Sequence, residues 1–274
     1  MSFDAVINAM AGYPIIDLKS EHIKSLSYSS SSKGNQKKYY NCRTKEYIKS
    51  QFEYQGKYWK DYMVECLSYI IGSQINSKTS VLKQDVVLLS NNLYGCKSKD
   101  FAIGSQYVPF SKFGDYKVIS RMIGKSYKVF KSILDEYTKL DIAKEDVIDY
   151  ISTTIILDFL LCNEDRHFNN FGLLFDSKNN KYTLPPIFDC GLGLFEHDIK
   201  YQNKSLVEAK QLLDCKPFDC NPRNAFDMIT NVLGKSCIKE MCKSITIPSR
   251  ALFPSELGYE YFVESYNYIR SVTA

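Results

Sequence analysis

Asn163-Glu164-Asp165-Arg166-His167-Phe168-Asn169-Asn170 is the stretch that decides the fold, together with Phe188-Asp189-Cys190-Gly191 further along the chain. A strongly apolar segment, 145–162, precedes the first stretch, and its periodicity predicts a buried helix. Between the two stretches, residues 172–175 and 182–184 predict a β-hairpin. The order of helix, polar loop, hairpin and polar loop is expected to bring both polar loops to one place.

The side chains of these loops match the requirements of phosphoryl transfer. That reaction requires a carboxylate at the substrate hydroxyl, an amide oxygen and a second carboxylate for Mg²⁺, and positive groups on the phosphates. We predict that Asp165, Asn170 and Asp189 supply the first three. Because Mg²⁺ prefers hard oxygen ligands, Asn170 and Asp189 are the predicted metal ligands, and ATP with Mg²⁺ is the predicted cofactor pair. The alternative is an exposed ionic loop with Asp189 in a simple turn.

His167 lies inside the first polar loop. A role for His167 as a metal ligand is not favoured, because the other histidines, His22 and His197, are isolated in the sequence. Contact with a phosphate or packing of the loop is the preferred interpretation, and a satisfied structural histidine is the alternative.

Lys49 ends a strand-like run, Glu46-Tyr47-Ile48-Lys49, and Glu65 follows it by 16 residues on a predicted helix over 58–71. This separation lets a strand lysine pair with a helix carboxylate, which would fix the lysine against the α- and β-phosphates. We therefore predict that Lys49 and Glu65 belong to the ATP site. A lysine on a strand is otherwise commonly a solubility feature.

The serine-rich segment 27–37 precedes that strand. Its hydroxyls and backbone N–H groups are suited to hold the terminal phosphates. The residues predicted to do so are Ser30, Ser31, Ser32, Lys33 and Gly34. A flexible solvated loop is the alternative. The serines are also candidate autophosphorylation sites, where added negative charge would repel ATP.

The periodicities predict an α+β, bilobal architecture with a β-rich N-lobe, residues 1–110, and a mostly helical C-lobe, residues 111–274. Strands are expected at 38–40, 46–49, 86–89 and 101–103, with a turn at Asn91-Asn92. Helices are expected over 116–139 and 145–162. The segment 205–274, interrupted by prolines, predicts three or four more helices.

Composition restricts the class of protein. The 274 residues carry a formal charge of +4 without a long basic block, so no direct nucleic-acid binding is expected. Nine cysteines without framework spacing favour free thiols in a reducing compartment, and a zinc site at Cys215/Cys220 and Cys237/Cys242 matches known ligand spacings poorly. The sequence has no signal peptide and no long apolar run, so cytoplasmic localisation and no membrane association are expected.

The two polar loops resemble those of HipA-like serine/threonine kinases, whose motifs are Asp-x-His-x-x-Asn and Pro-x-[Phe/Tyr]-Asp. Here these are Asp165-Arg166-His167-Phe168-Asn169-Asn170 and Pro186-Ile187-Phe188-Asp189. The first run is also similar to that of phosphoinositide-3-kinase-like enzymes, which share the bilobal kinase fold. The resemblance covers 147–195 well and 27–71 in part.

The resemblance implies roles for individual residues. It makes Asp165 the catalytic base, Asn170 and Asp189 the Mg²⁺ ligands, Lys49 the ATP lysine and His167 a nucleotide contact. It places the phosphate loop at 29–37. The adenine hinge, which the motifs do not mark, is expected near 100–103, because the strand that leads into the second lobe must cross there. The resemblance also implies a compact member without the extra N-terminal domain of HipA toxins, with a Ser/Thr protein substrate and an antitoxin as the expected partners.

Three functions are compatible with these residues. The preferred hypothesis is an ATP- and Mg²⁺-dependent protein serine/threonine kinase that phosphorylates itself. A small-molecule or lipid kinase would keep every motif and differ only in the acceptor groove. A nucleotide-binding interaction protein without turnover is a third alternative, which the presence of all three polar groups disfavours.

Overall fold

The first lobe is built on a six-stranded sheet. The computed structural model describes residues 12–26, 36–54, 56–122 and 124–274. Its strands are β1 (Ile15–Ile16), β2 (Ile23–Leu26), β3 (Lys38–Asn41), β4 (Glu46–Ser50), β5 (Glu53–Tyr54), β6 (Lys57–Tyr58), β7 (Asp85–Leu89) and β8 (Tyr94–Lys99). The sheet order is β1-β7-β8-β4-β3-β2, and β5 pairs with β6 alone. The strands predicted at 38–40, 46–49 and 86–89 are confirmed.

Strand β4 carries Lys49 in the interior of the sheet, paired with β3 on one side and β8 on the other. Burial alternates along it, because Glu46, Ile48 and Ser50 are buried and the residues between them are not. Gly95 of β8 lies so close that a Cβ there would stand 2.3 Å from the carbonyl oxygen of Lys49. A side chain at Gly95 would therefore displace the strand that holds the lysine.

Helix α1 (Asp61–Gly72) packs against this sheet. It begins three residues after the predicted start, because Lys57–Tyr58 forms β6 instead. Its apolar side contributes Val64, Leu67 and Ile71 to the main hydrophobic core. The same helix buries the carboxylate of Glu65, which is 2% exposed.

The second lobe is mostly helical. Its helices are α2 (Tyr116–Ile119), α3 (Ser126–Thr138), α4 (Lys144–Leu161), α5 (Leu206–Gln211), α6 (Pro222–Leu233), α7 (Lys235–Cys242) and α8 (Glu256–Val272), with short 3₁₀ turns at Phe110–Lys112, Ser120–Met122, Ile199–Tyr201 and Arg250–Leu252. Helix α4 is the centre of the lobe, since 13 of its 18 residues are buried. The predicted helix over 145–162 and the four helices after residue 205 are confirmed.

A three-stranded sheet joins the lobes. Strand β10 (Gly172–Asp176) pairs with β11 (Lys181–Thr183), which confirms the predicted hairpin, and with β9 (Gln106–Pro109) on its other edge. The chain therefore passes between β8 and β9 from the first sheet to the second. The lobe boundary after residue 110 stays a prediction.

Two predicted elements are wrong. Residues 101–103 form a turn rather than a strand, because Asp100 accepts a hydrogen bond from the N–H of Ala102 and Gly104 has a φ of +80°. The helix predicted over 116–139 is broken into α2, a 3₁₀ turn and α3, and Gly124 at the break has a φ of +84°. Left-handed glycines at both places divert the chain from regular structure.

The nine cysteines are all free thiols. Among the described residues, no three His, Cys, Asp or Glu side chains are grouped so that they could hold a metal ion. No helix of the described segments has the length and apolar character needed to cross a bilayer.

Candidate active site

A cleft between the two lobes is lined by four of the predicted site residues, Glu65, Asp165, His167 and Asp189, whereas Lys49 and Asn170 are not among the described residues that line it. Gln36, Lys38, Phe52, Asp61 and Glu65 line it from the first lobe, and Asp165, His167, Asn169, Asp189, Gly191 and Leu192 line it from the second. Both polar loops therefore face the same space, opposite strand β4 and helix α1.

Lys49 connects the lobes. Its Nζ lies 2.7 Å from Oε1 of Glu65 and 2.5 Å from Oδ1 of Asp189. Burial lowers the pKa of this lysine, but the two carboxylates outweigh burial and raise it well above its usual value. The ammonium is therefore fixed between a first-lobe and a second-lobe carboxylate, and the pair expected from the 16-residue spacing is formed.

Asp189 is held as a carboxylate. Burial favours its neutral form, but the charges of Lys49 and Lys38 and the hydrogen bond from Lys49 hold its pKa well below the usual range. Its backbone has a φ of +60°, a left-handed conformation that aspartate tolerates better than most residues. Strained backbone of this kind is concentrated at functional sites.

Asp165 has the opposite electrostatic environment. The loss of surrounding water and the nearby charge of Asp189 raise its pKa, while His167, His197 and Lys216 act against that rise. Its side chain remains accessible from the cleft, and its N–H donates to Oδ1 of Asn163 at 3.2 Å. A raised proton affinity makes this carboxylate the better base of the two.

Asn170 ends the first polar loop, 163–170, which is called the catalytic loop below after the role predicted for Asp165. Its Nδ2 donates to the backbone oxygen of Asp165 at 3.2 Å, and its N–H donates to the backbone oxygen of His167 at 2.8 Å. The amide nitrogen is thus engaged in a hydrogen bond, and none of the described residues donates a hydrogen bond to Oδ1. The neighbouring Asn169 lines the cleft, and its Oδ1 accepts from Ser111 at 2.6 Å.

His167 has an unused nitrogen. Its Nδ1 is buried and has no hydrogen-bond partner among the described residues. Both interpretations of His167 that the sequence left open, a nucleotide contact and a structural histidine, stay predictions.

The phosphate loop stays a prediction. Ser30, Ser31, Ser32, Lys33 and Gly34 lie outside the described residues. The chain that follows them reaches the cleft, because Gln36 donates through Nε2 to Asp61 at 2.7 Å and Lys38 lines the same space.

Arg166 was not singled out from the sequence as a functional residue. Its fully buried guanidinium makes two 2.9 Å hydrogen bonds to the carboxylate of Asp158 and one of 2.6 Å to the carbonyl oxygen of Phe188. It thereby ties helix α4 and the catalytic loop to the segment that carries Asp189. The available signal was Asp158, an acidic residue in the apolar last part of helix α4, residues 155–161.

Asp61 lines the cleft and was not predicted from the sequence. It is 2% exposed and accepts hydrogen bonds from the N–H of Phe52 at 2.8 Å and from Gln36. Burial raises its pKa to about 7, helped by the charge of Glu65 and opposed by the hydrogen bond from Phe52. An acidic residue at the first position of a helix is usually exposed, so no sequence pattern predicts this burial.

Glu164 anchors the chain that follows Asp189. It accepts from Tyr201 at 2.5 Å and from the N–H of Asp214 at 3.0 Å, and its carboxylate lies 2.8 Å from Nε2 of His197. Burial works against ionisation, but these partners lower its pKa to about 2. The segment 197–214 is therefore fastened directly beside Asp165.

These features define a bilobal, protein-kinase-like α+β fold with a polar cleft. No family model matches the chain. The crystal structure of a Helicobacter pylori proinflammatory kinase, CtkA, superposes with a TM-score of 0.62 over 94% of this chain and 95% of that chain, at 19% identity. The predicted fold class is confirmed by this match.

The comparison of sequences also finds similarity to CtkA. The serine/threonine-protein kinase CtkA of Helicobacter pylori strain J99 is 27% identical to this chain in an alignment of 125 residues. That alignment covers 39% of this chain and 38% of the relative. A HipA in complex with HipB and operator DNA from Shewanella oneidensis MR-1 matches with a TM-score of 0.41 and 10% identity over all of this chain and 70% of that chain, too distant to support a conclusion. The resemblance to HipA-like kinases expected from the motifs agrees with the similarity to CtkA.

Proposed function

We propose that this chain is an ATP- and Mg²⁺-dependent protein serine/threonine kinase. One observation carries the proposal: Nζ of Lys49 bridges Glu65 and Asp189 at the cleft that Asp165 faces. Kinases need this set of groups, namely a lysine for the phosphates, a carboxylate for the metal and a carboxylate for the acceptor hydroxyl.

The proposed metal ligands are the carboxylate of Asp189 and the amide oxygen of Asn170. The low pKa of Asp189 keeps it ionised at neutral pH, and the amide of Asn170 is oriented by the bond from its nitrogen. Both are hard oxygen donors, which fit Mg²⁺. When bound, Mg²⁺ neutralises negative charge on the phosphate oxygens.

Asp165 is the proposed base. It accepts the proton of the acceptor hydroxyl while the hydroxyl oxygen bonds to the γ-phosphorus and the bond between that phosphorus and ADP breaks. Lys49 holds the phosphates, and His167, which lines the cleft, is a further proposed contact to the nucleotide. The raised pKa of Asp165 supports its role in taking up the proton.

The acceptor is proposed to be a serine or threonine of a protein. CtkA, the relative by sequence, is a serine/threonine-protein kinase, and the same acceptor is proposed here. The chain's own serines at 29–32 precede strand β3 and are proposed as autophosphorylation sites. An antitoxin partner, expected from the resemblance, remains a prediction.

Phosphate incorporation tests the proposal. Purified protein incubated with Mg²⁺ and ATP should gain mass in steps of one phosphate, and a general protein substrate should be labelled on serine or threonine. Asp165→Asn and Asp189→Asn keep the shape of each side chain but remove its charge, so each should abolish the gain.

Asp85→Asn is the matched control, since it removes an exposed carboxylate on β7 outside the cleft. It should incorporate phosphate at the parent rate. Parent-rate incorporation by both cleft variants would overturn the assignment of the site. Labelling of lipids or small alcohols in place of protein would leave the chemistry intact and contradict the acceptor.

A further inference from the structure

One segment of 20 residues is strongly basic. Residues 112–131 contain six basic side chains and one acidic side chain, a net charge of +5. The basic side chains, called the basic surface below, are Lys112, Lys117, Arg121, Lys125, Lys128 and Lys131.

All six side chains of the basic surface are exposed. None of them forms an ion pair with another described residue, whereas Lys97, Lys139, Lys210 and others in the chain do. The single acidic residue within the segment, Asp115, accepts from the N–H of Val118 at 3.2 Å as the cap of helix α2. The positive charge of the basic surface is therefore not neutralised within the described part of the chain.

The basic surface lies beside the catalytic loop. Ser111 donates to Oδ1 of Asn169, which lines the cleft, and the ring of Tyr116 stands 6.4 Å from that of Phe168. Near the middle of the segment, the N–H of Gly124 donates to the carbonyl oxygen of Phe218 at 3.2 Å. The segment thus runs along the second lobe, starting at the catalytic loop.

Apolar side chains are exposed among the charges. Tyr116 is 36% exposed, Val118 43% and Tyr127 58%. A surface that combines unpaired cations with exposed apolar groups suits a polypeptide with both carboxylates and apolar side chains.

We propose that the basic surface docks an acidic segment of the protein substrate and so presents its serine or threonine to Asp165. This inference rests on the proposed function, because it concerns the acceptor of that reaction. A peptide is favoured over a nucleic acid because the surface leads into the catalytic loop, where the acceptor hydroxyl must lie. Unpaired charge next to a catalytic loop attracts an oppositely charged substrate and raises its local concentration.

Peptide binding tests the inference independently of turnover. The probes are a fluorescent peptide with one serine flanked by glutamates and apolar residues, and its twin with glutamine for every glutamate. Anisotropy should show at least about tenfold tighter binding of the acidic peptide, equal to about 1.4 kcal/mol. That preference should shrink as salt rises from about 50 to 300 mM, since salt screens exposed charges.

Two triple variants separate this surface from net charge. Lys117→Glu/Arg121→Glu/Lys125→Glu should weaken binding of the acidic peptide about tenfold or more. Lys178→Glu/Lys235→Glu/Lys239→Glu changes the net charge equally at exposed, unpaired lysines elsewhere and should alter binding less than about twofold. Equal losses in both triples, or no preference for the acidic peptide, would overturn the inference.

A single-stranded RNA of equal charge is the remaining competitor. If it binds the parent more tightly than the acidic peptide does, the surface is a nucleic-acid site and the inference is wrong. Selective peptide binding without phosphate transfer to any acceptor would uphold the docking surface and reject the kinase. Phosphate transfer with no preference for the acidic peptide would uphold the kinase and reject the docking surface.

Discussion

Two carboxylates in one cleft have pKa values that are shifted in opposite directions. Lys49 and Lys38 hold the pKa of Asp189 low, while desolvation and the charge of Asp189 raise that of Asp165. A low pKa suits a cation ligand and a higher one suits a base. The residue types are common, and their surroundings give each its proposed role.

The first prediction at the residue scale separates phosphate binding from metal binding. Lys49→Met should raise the KM for ATP about tenfold or more, since a charge-assisted hydrogen bond contributes about 1.5–3 kcal/mol. Asp189→Asn, which is expected to transfer no phosphate, should instead raise the Mg²⁺ concentration needed to bind a non-hydrolysable ATP analogue. Titrating nucleotide and Mg²⁺ separately distinguishes the two defects.

Lys97→Met is the control for the lysine. Lys97 lies on the neighbouring strand and pairs with Glu46, which also has Lys99 as a partner. Its KM for ATP should match that of the parent. Identical defects in the Lys49 and Asp189 variants would contradict the division of roles between them.

The second prediction concerns the pH dependence of stability. Asp61 has a folded-state pKa of about 7, above the usual 3.8. The folded protein therefore holds this proton more tightly than the unfolded chain, which adds stability at low pH that is lost as the pH rises through about 7. Asp61→Asn cannot ionise, so relative to the parent it should gain on the order of 2 kcal/mol in unfolding free energy between pH 5 and pH 8.

Urea unfolding of both proteins at the two pH values measures this difference. A free-energy difference between parent and variant that is the same at pH 5 and pH 8 would show that Asp61 does not titrate in this range.

Sequence patterns predict some residues of the candidate site and not others. Asp165, Asn170 and Asp189 were predicted as site residues because their order along the chain is distinctive, and Lys49 with Glu65 because a strand and a helix have characteristic spacing; their roles stay predictions. The partnership of Arg166 with Phe188 and the burial of Asp61 depend on tertiary contacts, which local patterns do not contain.

At the scale of elements, Arg166 fastens three parts of the second lobe. It joins helix α4 through Asp158, the catalytic loop through its own backbone and the segment of Asp189 through the carbonyl of Phe188. These contacts set the separation of the two polar loops. Neither loop has regular secondary structure that could set this separation.

Arg166→Lys should destabilise the protein by about 3 kcal/mol or more, because a buried carboxylate is left without its bidentate partner. Chemical unfolding measures the loss. Arg43→Lys, at an exposed arginine, is the control and should change stability by less than about 0.5 kcal/mol. A loss for Arg166→Lys no larger than that of the control would show that this contact does not hold the loops.

Elements followed the sequence patterns where the patterns were strong. Helix α4 and the β10–β11 hairpin appear as predicted because an apolar helix and a hairpin with a polar turn are largely determined locally. The failures at 101–103 and 116–139 have a common cause. Apolar residues there continued a regular period, but Gly104 and Gly124 adopt left-handed conformations that end it.

At the scale of the whole molecule, the cleft depends on contacts that cross between the lobes. Lys49 reaches Asp189, the N–H of Cys190 donates to Oε2 of Glu65 at 3.2 Å, and Val81 forms an isolated bridge with Ile187. Helix α1 thus holds both the lysine and the segment that carries Asp189. The same contacts therefore set both the relative position of the lobes and the geometry of the site.

The most direct test is a crystal structure with Mg²⁺ and a non-hydrolysable ATP analogue. The metal should lie about 2.0–2.1 Å from oxygens of both Asp189 and Asn170, with Lys49 on the phosphates and Asp165 facing the terminal one. A nucleotide bound outside the cleft, or a metal that touches neither residue, would contradict the account.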